Sequence, residues 1–143
     1  MPTPASEALR LEGNKNFSQK KYYNAFKCYT EALEEDPTNV LALSNRSQTL
    51  INLQSYDLAY IDAEKAYKLS PDNDKIKFRL VTSLYKMGLH KFAKDGATKF
   101  GVDWKLITNK EFEEKDYDVD VSINHSLKLE DTQISEPLQI IRF

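Results

Sequence analysis

The chain has 143 residues, 41% hydrophobic and 29% charged, with 4 Gly, 5 Pro and a formal net charge of −2, which suits one modest helical core and excludes a collagenous or low-complexity protein. No run approaches the ~18 apolar residues a bilayer-spanning helix needs, and the N-terminus lacks a basic stretch followed by an apolar one, so no membrane partner and a cytoplasmic or also nuclear location are expected. Residues 1–103 carry 15 Lys/Arg against 13 Asp/Glu, and residues 104–143 carry 5 against 9; a mildly basic body with an acidic tail is not the balance of a general nucleic-acid binder. Cys28 is the only cysteine, which excludes an internal disulfide, and with only His90 and His125 beside it neither a metal site nor another cofactor is implied.

Along the chain one period dominates. Tyr22 recurs as Tyr56, Ala25 as Ala59 and Ala93, Ala32 as Ala66, and Pro37 as Pro71, always 34 positions apart. Within the first unit Leu9, Gly13, Phe17, Tyr22, Ala25, Tyr29 and Ala32 fall three to five apart, with Leu33 beside Ala32, which predicts one apolar stripe on each of two helices with a break around Ser18 to Lys21. Asp36-Pro37 closes the second helix, because the residue before proline is pushed out of the α region. Gly13 with Ala25, and Ser47 with Ala59, are expected where paired helices cross, while Ala32 and Ala66 let the next unit approach. Tyr22, Tyr29, Tyr56, Tyr60 and Tyr67 are expected to pack in the core, and Cys28 to be a small half-buried hydrophobe.

These residues and spacings resemble the tetratricopeptide-repeat family. The resemblance implies an all-α solenoid of helical hairpins: a domain over residues 1–116, with repeats at about 6–39, 40–73 and 74–101 and a capping helix at about 102–115, then an extended acidic tail over 117–143. The third unit keeps Leu80, Leu84, Gly88 and Ala93 but has Phe100 and Lys105 where the late Ala and closing Pro belong. A degenerate last unit followed by a cap suits the end of a stacked array, and Trp104, Leu106, Ile107 and Phe112 are the apolar residues of that cap.

In such solenoids the first helix of each unit lines a concave groove. Arg10 and Asn14 share a face of the first such helix, Asn45 sits on the second, and Lys75 and Arg79 share a face of the third. Three cations and two carboxamides converging on one hollow ask for an anion with several oxygens, best of all paired carboxylates. The set resembles the dicarboxylate clamp of tetratricopeptide-repeat co-chaperones, which is Lys, Asn, Asn, Lys, Arg with gaps of four, thirty-one, thirty and four; every gap is reproduced here, with Arg10 in place of Lys. The resemblance implies binding of the C-terminal Glu-Glu-Val-Asp tails of 70 and 90 kDa heat-shock chaperones. Phe17 and Ile51, bordered by Gln48, Asn52 and Lys86, would form the selectivity pocket above the clamp, and Phe17 suits the core equally well.

Beyond the cap, Tyr117, Val119, Val121 and Ile123 alternate with polar residues, the period of an extended strand. That tail suits a solvated segment, a strand added to a client-recruiting partner's sheet, an occupant of the basic groove, or a linker to a further domain, in which case the repeats are the docking domain of a longer protein. With no phosphate loop, nucleophile elbow or metal cluster, a non-catalytic adaptor is expected rather than an enzyme. The rival function is a scaffold that holds an internal peptide on the same face.

Overall fold

A computed structural model describes residues 2–108. Seven α-helices make up the regular structure of those residues: α1 (Pro4–Ser18), α2 (Tyr22–Glu35), α3 (Val40–Asn52), α4 (Tyr56–Leu69), α5 (Asp74–Lys86), α6 (His90–Phe100) and α7 (Trp104–Thr108). They pair as three hairpins, α1 with α2, α3 with α4 and α5 with α6, and α7 rests on α5. Each hairpin stacks on the next through α2 against α3 and α4 against α5, while α1 meets α3 and α3 meets α5, so the three first helices line one face. The tail at 117–143 and the C-terminal part of the expected cap lie outside the described residues, and no helix among those described is long and apolar enough to cross a membrane.

Local chemistry sets the helix ends. Thr3, Asn39 and Asn73 cap α1, α3 and α5, each accepting a backbone N–H three residues on at 3.1 Å. The same three helices close with a left-handed residue, Lys20, Gln54 or Gly88. After it, the N–H of Lys21, Ser55 or Leu89 reaches back to Asn16, Leu50 or Leu84 at 2.9, 2.8 or 3.0 Å, which satisfies a carbonyl the helix leaves unpaired. A six-to-one hydrogen bond of this kind turns the chain directly into the partner helix.

The small residues set how closely the helices approach. A Cβ on Gly13 would stand 2.5 Å from Cε1 of Tyr29, so any side chain there collides with a ring packed across the hairpin. Ser47 replaces it in the second unit and uses its hydroxyl, which donates to the Ala59 carbonyl at 2.7 Å. Ala25, Ala32, Ala59, Ala66 and Ala93 are fully buried. The main core runs from Ala32 to Ile107 through Tyr60, Tyr67, Ile76, Phe78, Leu80 and Leu84. Phe100, where the earlier units carry Ala, is buried with its ring 5.8 Å from that of Tyr67, so the large side chain at this position fills space beside α4. Trp104 sets its ring edge-on to Tyr85 at 5.6 Å, fastening α7 to α5.

Candidate functional site: a polar face on the first helices

Arg10 and Asn14 are one turn apart on α1, and Lys75 and Arg79 one turn apart on α5, and the hairpin stack lays α3, with Asn45, against both helices. The two asparagines touch: Asn45 Nδ2 donates to Asn14 Oδ1 at 2.9 Å. The Tyr29 hydroxyl, rising from α2, donates to the same oxygen. With two donors on Oδ1, the orientation of the Asn14 carboxamide is fixed, and with it the direction of its NH2 group. This junction is buried, with Asn45 only 1% exposed, so its hydrogen bonds act where water competes least.

The cations around it are held by their own partners. Arg79 lies almost fully buried, 1% exposed, and its Nη1 donates to Ser44 Oγ at 2.8 Å, which carries a charge from α5 to the residue beside Asn45 on α3. Arg10 is also buried and pairs with Glu7 one turn earlier, Nε to Oε2 and Nη2 to Oε1, each at 2.8 Å. Those hydrogen bonds, above all, hold the Glu7 carboxyl below its ordinary range; burial opposes them, and a hydrogen bond from Asn39 reinforces them. Lys75 stands half-buried on the first turn of α5. Cations and carboxamides gathered in this way are chemically suited to an anion with several oxygens.

The expected selectivity residues divide. Gln48 donates from Nε2 to Asn52 Oδ1 at 2.8 Å along the outer half of α3. Ile51 packs with Leu50 and Ala59. Phe17 is 2% exposed in a cluster with Ala25 and Tyr29, its ring 5.2 Å from Tyr22, which places it in the core of the first hairpin. Lys86 ends α5. Spacing along the chain did not single out Glu7, Asn39, Ser44 or the hydroxyl of Tyr29. The three-residue offset of Glu7 from Arg10 is a readable helix pair; the other contacts span 15 to 35 residues and leave no local signal.

Two features lie away from this face. Cys28 borders an open cleft with Asn16, Asn24, Lys27 and Glu31, and burial pushes its thiol up, with Glu12 and Glu31 adding to the shift; a thiol so placed is a poor nucleophile. Among the described residues no group of three or more His, Cys, Asp or Glu is placed to hold a metal ion.

Comparison with known proteins gives the following. The tetratricopeptide-repeat family model matches residues 41–73. Over 89 residues the sequence is 42% identical to the protein STIP1 homolog of Dictyostelium discoideum, covering 62% of this chain and 16% of that protein. The crystal structure of the Sgt2 tetratricopeptide-repeat domain from Aspergillus fumigatus superposes with a TM-score of 0.65 at 35% identity, over 68% of this chain and 64% of that one. The first such domain of Spaghetti (RPAP3), solved with the heat-shock protein 90 peptide SRMEEVD bound, superposes with a TM-score of 0.64 at 26% identity, over 68% of this chain and 80% of that one. The chain spans 16%, 29% and 37% of the lengths of three curated relatives.

Proposed function

The chain belongs to the tetratricopeptide-repeat family, and from that premise we propose that its first-helix face is a dicarboxylate clamp for the acidic C-terminal tails of 70 and 90 kDa heat-shock chaperones. The observation that carries this is the Asn45 to Asn14 hydrogen bond, which joins the central carboxamides of two hairpins, with the buried Arg79 held against Ser44 beside Asn45. Asn14 and Asn45 supply amide donors, Lys75 and Arg79 supply charge from α5, and Arg10 supplies it from α1. The last aspartate of such a tail offers two carboxylates, one from its side chain and one from the chain end, and both kinds of donor are needed to satisfy their oxygens. Charge-assisted hydrogen bonds contribute ~1.5–3 kcal/mol each, so a few suffice for the ~8 kcal/mol of a micromolar complex.

The protein on this account is a non-catalytic co-chaperone adaptor, with residues 1–116 as the repeat domain and 117–143 as the segment that recruits a second protein. Gln48, Ile51, Asn52 and Lys86 border the groove where the residues before the terminal acid lie, and they set the choice between chaperones. Calorimetric titration of the full chain with a peptide ending in Met-Glu-Glu-Val-Asp tests it, run beside the same peptide amidated at its C-terminus and beside a Lys75→Ala, Arg79→Ala variant. Micromolar binding that both controls abolish supports the clamp. Binding indifferent to amidation favours a scaffold for internal peptides instead, and no binding to the free acid removes the chaperone assignment.

A further inference from the structure

Beyond Asn45 the line of carboxamides continues along α3. Gln48 lies 34 residues after Asn14 and takes in the second hairpin the place that Asn14 has in the first. Asn14 meets Asn45, 31 residues on, across the first helices; Gln48 stands 31 residues before Arg79 and by the same repeat lies where α3 meets α5. It is one turn past Asn45, and Asn52 is one turn further. The apolar residues at this level are turned elsewhere: Phe17 sits in the core of the first hairpin, and Ile51 packs with Leu50 and Ala59.

Gln48 Nε2 donates to Asn52 Oδ1 at 2.8 Å, and among the described residues neither side chain makes another hydrogen bond. The Gln48 carbonyl and the Asn52 amide are therefore left without protein partners. Gln48 is only 5% exposed, and a carbonyl with so little access to water is costly to leave unpaired; neither of the two groups is sealed from the surface. Joined at their other ends, they offer one acceptor and one donor. A carboxylate, which has acceptors alone, would face the Gln48 carbonyl unfavourably, and an apolar side chain would satisfy neither group. The N–H and C=O of one extended residue, which point to the same side of the chain, satisfy both. We propose that Gln48 and Asn52 form a main-chain subsite of the groove: Gln48 Oε1 accepts the N–H, and Asn52 Nδ2 donates to the C=O, of one residue of the bound acidic tail. Such a subsite refuses proline, which has no N–H to give. This deepens the clamp assignment above and rests on it.

The test is calorimetric titration of the full chain with the free-acid Met-Glu-Glu-Val-Asp peptide and with analogues in which each backbone amide in turn is an ester, so that one residue at a time loses its N–H. Gln48→Met, which keeps the length of the side chain, is expected to weaken the parent peptide roughly three- to ten-fold, the effect of one hydrogen bond. Asn52→Ala is expected to weaken it by less, Asn52 being only half-buried. One ester analogue is expected to lose the Gln48→Met factor against the wild type and nothing further against the variant, which is the mark of a direct contact. Unchanged affinity in Gln48→Met, or a loss of equal size for every ester analogue, overturns the subsite; binding that Lys75→Ala, Arg79→Ala still abolishes then leaves the clamp standing without it. A Gln48→Met loss that vanishes when a Glu of the peptide becomes Ala, and not with any ester, assigns the pair to a side chain and overturns the main-chain reading. Failure of the wild type to bind the free acid overturns the clamp, and the subsite with it.

Discussion

Lys20 and Gln54 adopt the same left-handed backbone conformation 34 residues apart, at φ 61° and 64°, and Gly88 completes the series at φ 84°. A side chain in this region costs roughly 1–2 kcal/mol that glycine avoids, partly offset by glycine's greater freedom in the unfolded chain. Lys20→Gly and Gln54→Gly are each expected to stabilise the protein by about 0.5–1 kcal/mol. Gly88→Ala is expected to destabilise it by about 1 kcal/mol, from backbone strain alone, since no atom lies within 4 Å of an added Cβ. Denaturant midpoints of the three variants decide this.

The Tyr29 hydroxyl and the Asn45 amide share one acceptor, Asn14 Oδ1. Tyr29→Phe keeps the ring that packs on Gly13 and removes only the donor, so the stability loss is expected to be about 1 kcal/mol. The Asn14 carboxamide, with one donor fewer on its Oδ1, is expected to be less firmly oriented, and affinity for the free-acid peptide should fall several-fold. Calorimetry paired with denaturation separates the two effects.

A control for the site lies on α3 and α4. Arg46 donates from Nε and Nη2 to Asp62 at 2.7 and 2.9 Å, and from Nη1 to Thr30 Oγ1 at 3.2 Å, bridging two neighbouring hairpins. Asp62 is 3% exposed, so Asp62→Ala strands a largely buried guanidinium and is expected to cost about 3 kcal/mol. Peptide affinity, measured where the variant is still folded, should be unchanged, because these contacts run between α3 and its neighbours α2 and α4 and not to Asn14 or Asn45.

Acid should weaken the fold in part through Glu7. Its folded-state carboxyl is held down by Arg10 and Asn39, so the unfolded chain takes up the proton at higher pH. The stabilisation is therefore fully present above the unfolded value and lost as pH falls through the depressed folded one. Asp36, held down by the hydroxyl and N–H of Thr38, adds an effect of the same sign. Glu7→Gln is expected to lower stability at neutral pH and to make its decline on the acid side shallower, though not flat; denaturation curves from neutral pH downward measure both.

Much of this arrangement is legible in the sequence because the period is a geometric fact. Ala25, Ala59 and Ala93 set a register, and from it the meeting of Asn14 with Asn45 across the first helices follows by counting. Counting gives a direction around a helix and not a depth, so Phe17, on an inward stripe that borders the groove, falls in the hairpin core once Tyr29 and Tyr22 close over it. The left-handed turns at Lys20 and Gln54 carry no glycine to announce them; tertiary packing holds them in a conformation their residue types disfavour. The Glu7 to Asn39 contact is hidden for another reason, since the two residues meet only when α2 has folded back to deliver α3 beside α1.

The apolar material is unequally shared. The main core spans the second and third hairpins and α7, whereas Phe17, Ala25 and Tyr29 form a separate small cluster inside the first, which joins the rest through Leu9, Ala32 and Leu33. Arg10 and Asn14 ride on that lightly anchored hairpin, opposite Lys75 and Arg79 on the heavily anchored one. On the clamp proposed above, a peptide held by residues of both would tie the first hairpin to the main core, so its binding is expected to slow amide exchange in α1.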